Sequence, residues 1–435
     1  MQPFQGKRAS RIATSFVFFW AAGLGFLWWI VTPIYQAMKS KTKLKAASET
    51  TILIALGLWL LVTLAASMAA GVVQFSRVPG AAYGALVWIC AGILFHALRK
   101  LTPEQNNYFI RGLIFIGSIQ GLLTSAAVTL HPSPLSKFNL LASPVIGDSS
   151  GIGTWATSNL AYVDYFGGGI VRSAGMMATA AWSGGYACLV LILLLIGGRK
   201  LRAAGMSNLT WLAAVALNAA SLYFSYSRVS IAILVLIVAA YALYRILSVI
   251  DSGGLLATVT VIIGAVFMFT LSPWQSYILE QDSLRPGSSG ARFLSYDEGF
   301  SAASESGPLV FIAGNGVKPF LEEIGRGAGS ESTYMSLLVR GGLIAVVLFL
   351  CFLMTRLSRA WKARDWTGAL LFLALAIHAL VEDLDIGTLT LLLILIEPAR
   401  VALSTKPELA PAVDLSPAYR NMAEQAGDNV TLPGR

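Results

Sequence analysis

What most limits the folds open to this chain is a succession of apolar runs, each close to the roughly 20 residues that carry a helix across a bilayer. They fall at 12–34, 51–71, 81–98, 108–130, 179–198, 209–227, 229–250, 254–271, 335–354, 367–381 and 388–396. In hydrocarbon a backbone has to satisfy its own hydrogen bonds, so such runs form helices. Taken in order they predict about 11–12 crossings. The runs are continuous and rich in Leu, Ala, Ile and Val, unlike the alternating segments of about ten residues that build a transmembrane barrel. The expected fold class is an all-α polytopic membrane protein.

Composition agrees. Only 12% of the residues are charged and 56% are hydrophobic, with a mean hydropathy of +0.69, whereas soluble domains carry about 25% charged residues. The net charge of +9 is spread over short loops, which argues against a nucleic-acid binder. The basic stretches 39–45, 99–100, 199–202 and 356–364 read instead as cytoplasmic loops under the positive-inside rule. Alternation then puts the two longest loops, 131–178 and 272–333, outside. It also puts Lys7, Arg8 and Arg11 outside, against the same rule, so the N-terminal orientation stays open. The first apolar run is too long for the core of a cleavable signal.

The expected organisation is one integral-membrane domain over 1–402 and a disordered tail over 403–435, rich in Pro, Ala and charge. No internal repeat is visible. Cys90, Cys188 and Cys351 all fall inside apolar runs and read as packing residues.

The loop 272–333 is a polar island between apolar spans, and it is expected to carry short helices. Apolar spacing predicts a helix over 291–304 with Pro308 soon after it, and Gly314-Asn315-Gly316 is a strong turn signal. Arg292 lies in this island. Arg172 lies in the other long loop, and Arg228 sits in Ser225-Tyr226-Ser227-Arg228-Val229-Ser230 between two spans. Each arginine has a plain reading as a solvated or snorkelling charge. Together they suit a diphosphate, because a guanidinium offers phosphate oxygens a planar fork of donors.

Glu331 stands just before the apolar run that begins at Met335. It reads either as an acid at a helix start, with Ser330 or Ser332 as cap, or as a general base for a hydroxyl. Arg340 falls about two turns inside that helix, where a charge needs a partner; Glu382, Asp383 or a bound anion are candidates. His378, Glu382, Asp383 and Asp385 cluster near the end of the run 367–381. Asp383-Leu384-Asp385 matches the loose DxD pattern of metal-dependent sugar transferases but faces the wrong side for nucleotide sugars. Proton relay, helix pairing and hydroxyl binding all remain open for this cluster, and no His/Cys pattern offers a metal site.

Three segments of the island carry a resemblance: Gly290-Ala291-Arg292-Phe293-Leu294-Ser295-Tyr296, then Gly314-Asn315-Gly316, then Tyr334-Met335-Ser336-Leu337-Leu338-Val339-Arg340-Gly341-Gly342-Leu343-Ile344. In this order they resemble the O-antigen ligase/polymerase (Wzy-type) family. Ser225–Ser230 is similar to that family's Ser-x-Ser-Arg before a long helix, and Arg172-Ser173-Ala174-Gly175 to its Arg-x-x-Gly. The ligase branch commonly carries His-Asn where this chain has Glu331-Ser332, a departure that leans toward the polymerases.

The resemblance implies a GT-C-like arrangement and glycosyl transfer on the outer face of a bacterial cytoplasmic (inner) membrane. The donor would be an undecaprenyl-diphosphate-linked oligosaccharide, used without metal, nucleotide sugar or other cofactor. Membrane lipids and a chain-length regulator are the further candidate partners. Arg172, Arg228 and Arg292 would bind the diphosphate and Glu331 would activate the acceptor hydroxyl, with inversion expected of a single displacement. Ser332, Tyr334, Gly314, Gly316, Arg340, Glu382 and Asp383 would support the acceptor side. A ligase acting on lipid A core or protein uses the same chemistry, and a transporter or flippase of lipid-linked sugars is the alternative of another class.

Overall fold

A computed structural model of the chain describes residues 48–73, 75–98, 103–130, 161–164, 170–173, 175, 180–247, 288–318, 320–321, 326–327, 332–362 and 366–381. The expected spans 12–34, 254–271 and 388–396, and the tail, lie outside these. The described residues are mostly helical. Helices α1 (Ser48–Ala69) and α2 (Val78–Leu98) form an antiparallel pair joined through a 3₁₀ turn at Phe75–Arg77, and α3 (Pro103–Thr129) follows. A β-hairpin comes next, with β1 (Ala161–Asp164) paired antiparallel to β2 (Ile170–Ser173) so that Tyr162 faces Arg172. Then come α4 (Ala180–Ala203), α5 (Asn208–Ser225) and α6 (Arg228–Leu247).

The island contributes α7 (Ser288–Glu305), α8 (Pro308–Ala313) and a two-residue pairing of β3 (Phe320–Leu321) with β4 (Arg326–Gly327). The chain returns to the bundle as α9 (Thr333–Lys362) and α10 (Trp366–Val381). The helix expected at 291–304 is thus present and slightly longer, and Pro308 opens α8 at the helix start, where its missing N–H costs nothing. Among the described residues five helices are long and apolar enough to cross a membrane: Glu49–Ala69, Ile110–Thr129, Ala180–Ala203, Arg228–Ile246 and Thr333–Lys362. The protein is an all-α membrane protein in this coarse sense.

Helix α4 is the hub. Most of its residues from Ala180 to Leu201 are buried, whereas much of α6 is on the surface, and it packs on α3, α5, α6 and α10. Between α2, α9 and α10 runs a series of rings: Trp88 on Phe349 at 5.5 Å, Phe349 on Phe352 at 6.4 Å, and Phe352 on Phe372 at 6.1 Å. Edge-to-face and offset pairs of this kind add to area burial.

The stretch 356–364, expected as a basic loop, is different in the structure: α9 runs on to Lys362. Arg356 is 1% exposed and lies between the rings of Phe95 and Phe372, at 4.6 and 4.8 Å. Its Nη1 is 3.5 Å from Oε1 of the fully buried Glu49, whose Oε2 is 2.6 Å from Arg359 Nη1. A buried carboxylate needs such partners to stay charged. This ion cluster closes one end of the bundle, and the candidate site lies at the other.

Candidate functional site

At that far end, Arg172 on β2 donates from Nε to the carbonyl of Ser225, 3.1 Å away. Ser225 ends α5 and Arg228 begins α6, so this bond fastens the loop hairpin to the turn that carries the second arginine. The turn is tight because Tyr226 adopts a left-handed conformation, φ 47°, uncommon for a residue with a side chain. Its N–H is held by the Tyr223 carbonyl at 3.0 Å. Arg228 is exposed, while Ser225 and Ser227 beside it are buried.

A second set of contacts gathers on the last two turns of α10. Tyr296 of α7 donates to the Leu380 carbonyl at 2.5 Å, Ser332 to Ala379 at 3.3 Å and Tyr334 to Ala376 at 3.3 Å. The last four carbonyls of a helix lack partners within it, so the Ala379 and Leu380 carbonyls are ready acceptors for the hydroxyls of Ser332 and Tyr296. Arg292 lies on α7 one turn before Tyr296. Its side chain, and residues Glu331, Glu382 and Asp383, lie outside the described residues. Ser332 directs its hydroxyl to α10, so a bond expected to cap its own helix ties two helices together.

The two corners meet on α4. A Cβ at Gly184 would run into Ser227 and would stand 2.8 Å from Ser225 Oγ, while one at Gly185 would touch His378 Cε1 at 3.5 Å. Small residues at these positions let the α5–α6 turn and α10 close on the same helix.

Beneath the corners lies a buried polar seam. Gln120 donates from Nε2 to Ser183 Oγ at 2.9 Å, Ser183 meets the Ser221 hydroxyl at 3.3 Å, and Ser227 meets that of Ser230 at 2.7 Å. His378 is 2% exposed, and among the described residues its Nε2 has no hydrogen-bond partner, nor has Asn218 Oδ1. Polar groups inside a membrane bundle are costly and tend to serve function. The sequence points to His378 through its acidic neighbours; the seam has no sequence signature, since its residues come from α3, α4, α5 and α6.

Arg340, Gly314 and Gly316 belong to a third arrangement. Helix α9 breaks at Gly342, where φ 67° and ψ −168° are accessible only to glycine. The break leaves carbonyls unpaired, and the Gly314-Asn315-Gly316 turn fills the gap. Asn315 N–H donates to the Val339 carbonyl and Gly316 N–H to that of Arg340, both at 2.8 Å. Arg340 is 4% exposed and its Nη2 donates to the Ala81 carbonyl at 2.9 Å, with the guanidinium packed against Gly84. Among the described residues Arg340 reaches the first turns of α2; the candidate partners Glu382 and Asp383 lie outside them.

Arg172 and Arg228 come together at one corner, Ser332 and Tyr334 at the next, and Gly314, Gly316 and Arg340 form a brace under the island. Among the described residues no group of three or more His, Cys, Asp or Glu side chains could hold a metal ion. The chemistry on hand is arginine donors for an anion, and hydroxyls and carbonyls for a polar ligand such as a sugar. No model of a known protein family matches this chain, and no curated protein matches it.

Proposed function

We propose that this protein is a polysaccharide polymerase that joins undecaprenyl-diphosphate-linked repeat units on the outer face of the cytoplasmic membrane, in a GT-C-like bundle of about 11–12 spans. The observation that carries the reading is the bond from Arg172 Nε to the Ser225 carbonyl, because it sets two of the candidate arginines at one corner of the bundle. A departing lipid diphosphate develops negative charge, and prepositioned guanidinium groups stabilise it best where water is partly excluded. Support for a shared site with the island comes from Tyr296 and Ser332, which tie the helix of Arg292 and the residue after Glu331 to the end of α10.

In the proposed reaction the acceptor hydroxyl attacks the anomeric carbon, its proton passes to Glu331, and the bond to the lipid diphosphate breaks. The test is a strain lacking this protein. Such a strain is expected to accumulate single lipid-linked repeats, with polymer restored by the wild-type chain and not by Glu331→Gln. Polymer of normal length without the protein would overturn the proposal, and transfer of finished glycan failing in its place would favour a ligase.

A transporter of lipid-linked sugars has one observation in its favour, the broken helix α9 with Arg340 buried at the break. Purified protein distinguishes the two, since a transporter moves its lipid-linked substrate without lengthening it.

A further inference from the structure

The island does not rest on top of the bundle; part of it stands at membrane depth. Gly316 packs directly on α1, where a Cβ would lie 2.8 Å from Leu64 Cα and from the Thr63 carbonyl. Leu64 lies about 8 Å before the end of the Glu49–Ala69 span, at 1.5 Å rise per residue. The turn is therefore well inside the boundary that this span defines. Irregular backbone is tolerated at such depth only if its polar groups are satisfied. All three of the turn's amide donors are: Gly314 N–H bonds to the Val310 carbonyl, Asn315 N–H to that of Val339 and Gly316 N–H to that of Arg340.

Helix α8 leads into this turn and presents an apolar face outward, with Leu309 81% and Ile312 47% exposed. That face continues a stripe on α9. Leu343, Val347, Leu350 and Met354 follow helical spacing and are all exposed, as expected of a span's lipid-facing side. The Ile312 carbonyl packs against Gly342, one residue before the stripe begins. After the turn, the Lys318 carbonyl accepts a bond from Arg77 Nη1 at 3.4 Å, which puts two basic residues where the chain leaves this depth. Such side chains mark the headgroup level.

We propose that α8 and the Gly314–Gly316 turn form a re-entrant element whose Leu309–Ile312 face is covered by the lipid acyl chains of the leaflet at the island end. The inference stands independently of the enzymatic reading, because it rests on depth, the paired amide donors of the turn and the continuity of an apolar surface. Part of the island is then a membrane-contacting surface, and the neighbouring site borders lipid directly.

Spin labels on cysteines at Leu309 and Ile312 test it, in full-length protein with Cys351→Ser reconstituted in lipid nanodiscs. Leu350→Cys gives the lipid reference and the exposed Asp297→Cys on α7 the aqueous one. The expected ratio of collisions with oxygen to collisions with a water-soluble nickel chelate is several-fold higher at both positions than at Asp297, and close to that at Leu350. Ratios equal to that at Asp297 would overturn the proposal. Both side chains are already on the surface, so neither substitution removes core packing, and each position decides the question alone.

Discussion

The amide of Gly316 donates to the carbonyl of Arg340 across 2.8 Å, joining the polar island to a helix that has been broken to receive it. The bond links two features that are distant in sequence pattern, a glycine turn and an arginine within an apolar run. It also explains why Gly314, Gly316 and Gly342 stand in the same small region: backbones meet there with no room for side chains.

Gly342→Ala is expected to lower thermal stability in detergent by the equivalent of about 1–3 kcal/mol, the cost of holding a side chain in a glycine-only conformation. The added Cβ would also collide with the Ile312 carbonyl. Gly80→Ala serves as control, since a Cβ there meets nothing within 4 Å. Equal melting of the two variants would contradict the docked turn.

Glu49→Gln leaves Arg356 buried without its carboxylate, and removing one member of a buried ion pair costs about 3–5 kcal/mol. Arg359→Ala is expected to cost less, because Arg359 is 38% exposed. Denaturant midpoints of the two purified variants check the order; a milder effect for Glu49→Gln would show that Phe95 and Phe372 suffice to hold Arg356.

These two regions also mark what the sequence made legible. The helices of the bundle follow from the length of the apolar runs, and the helix around 291–304 and the turn at 314–316 follow from local spacing and glycine chemistry. Charges at helix ends are harder to read. The basic residues near 356 look like loop residues because their partner, Glu49, lies some 300 positions away. Arg340 donates to a backbone carbonyl, that of Ala81, and carbonyls have no sequence signal. The hairpin of Ala161–Asp164 with Ile170–Ser173 lies in a Gly-rich loop where short strands give little periodicity. For the site, the arginines were recognisable by residue type, whereas the Arg172–Ser225 bond and the convergence on α10 depend on tertiary packing.

Tyr296→Phe and Ser332→Ala each remove one hydroxyl from the end of α10, at a stability cost of about 1 kcal/mol. If these tethers position Arg292 and Glu331, turnover falls by more than stability alone explains, and the double variant loses less than the product of the two. Rates measured under conditions where all variants remain folded separate the effects; unchanged turnover would reduce the tethers to packing.

Arg172→Ala and Arg228→Ala are expected to reduce chain extension about 10²–10³-fold each, the usual loss when a prepositioned donor to a developing anion is removed. Membrane insertion and expression should be unaffected for Arg228, which is exposed. Arg172→Lys keeps the charge but lacks the Nε donor that reaches Ser225, so only partial recovery is expected. Normal polymer from both alanine variants would refute the clamp.

The most direct measurement takes the purified protein in lipid nanodiscs, supplies it with undecaprenyl-diphosphate-linked repeat units and nothing else, and resolves the products by length. A polymerase built around Arg172, Arg228 and Glu331 converts single repeats into a ladder of longer chains, and does so in wild-type protein but not in Arg228→Ala. Repeat units recovered at their original length with the wild-type protein would contradict it.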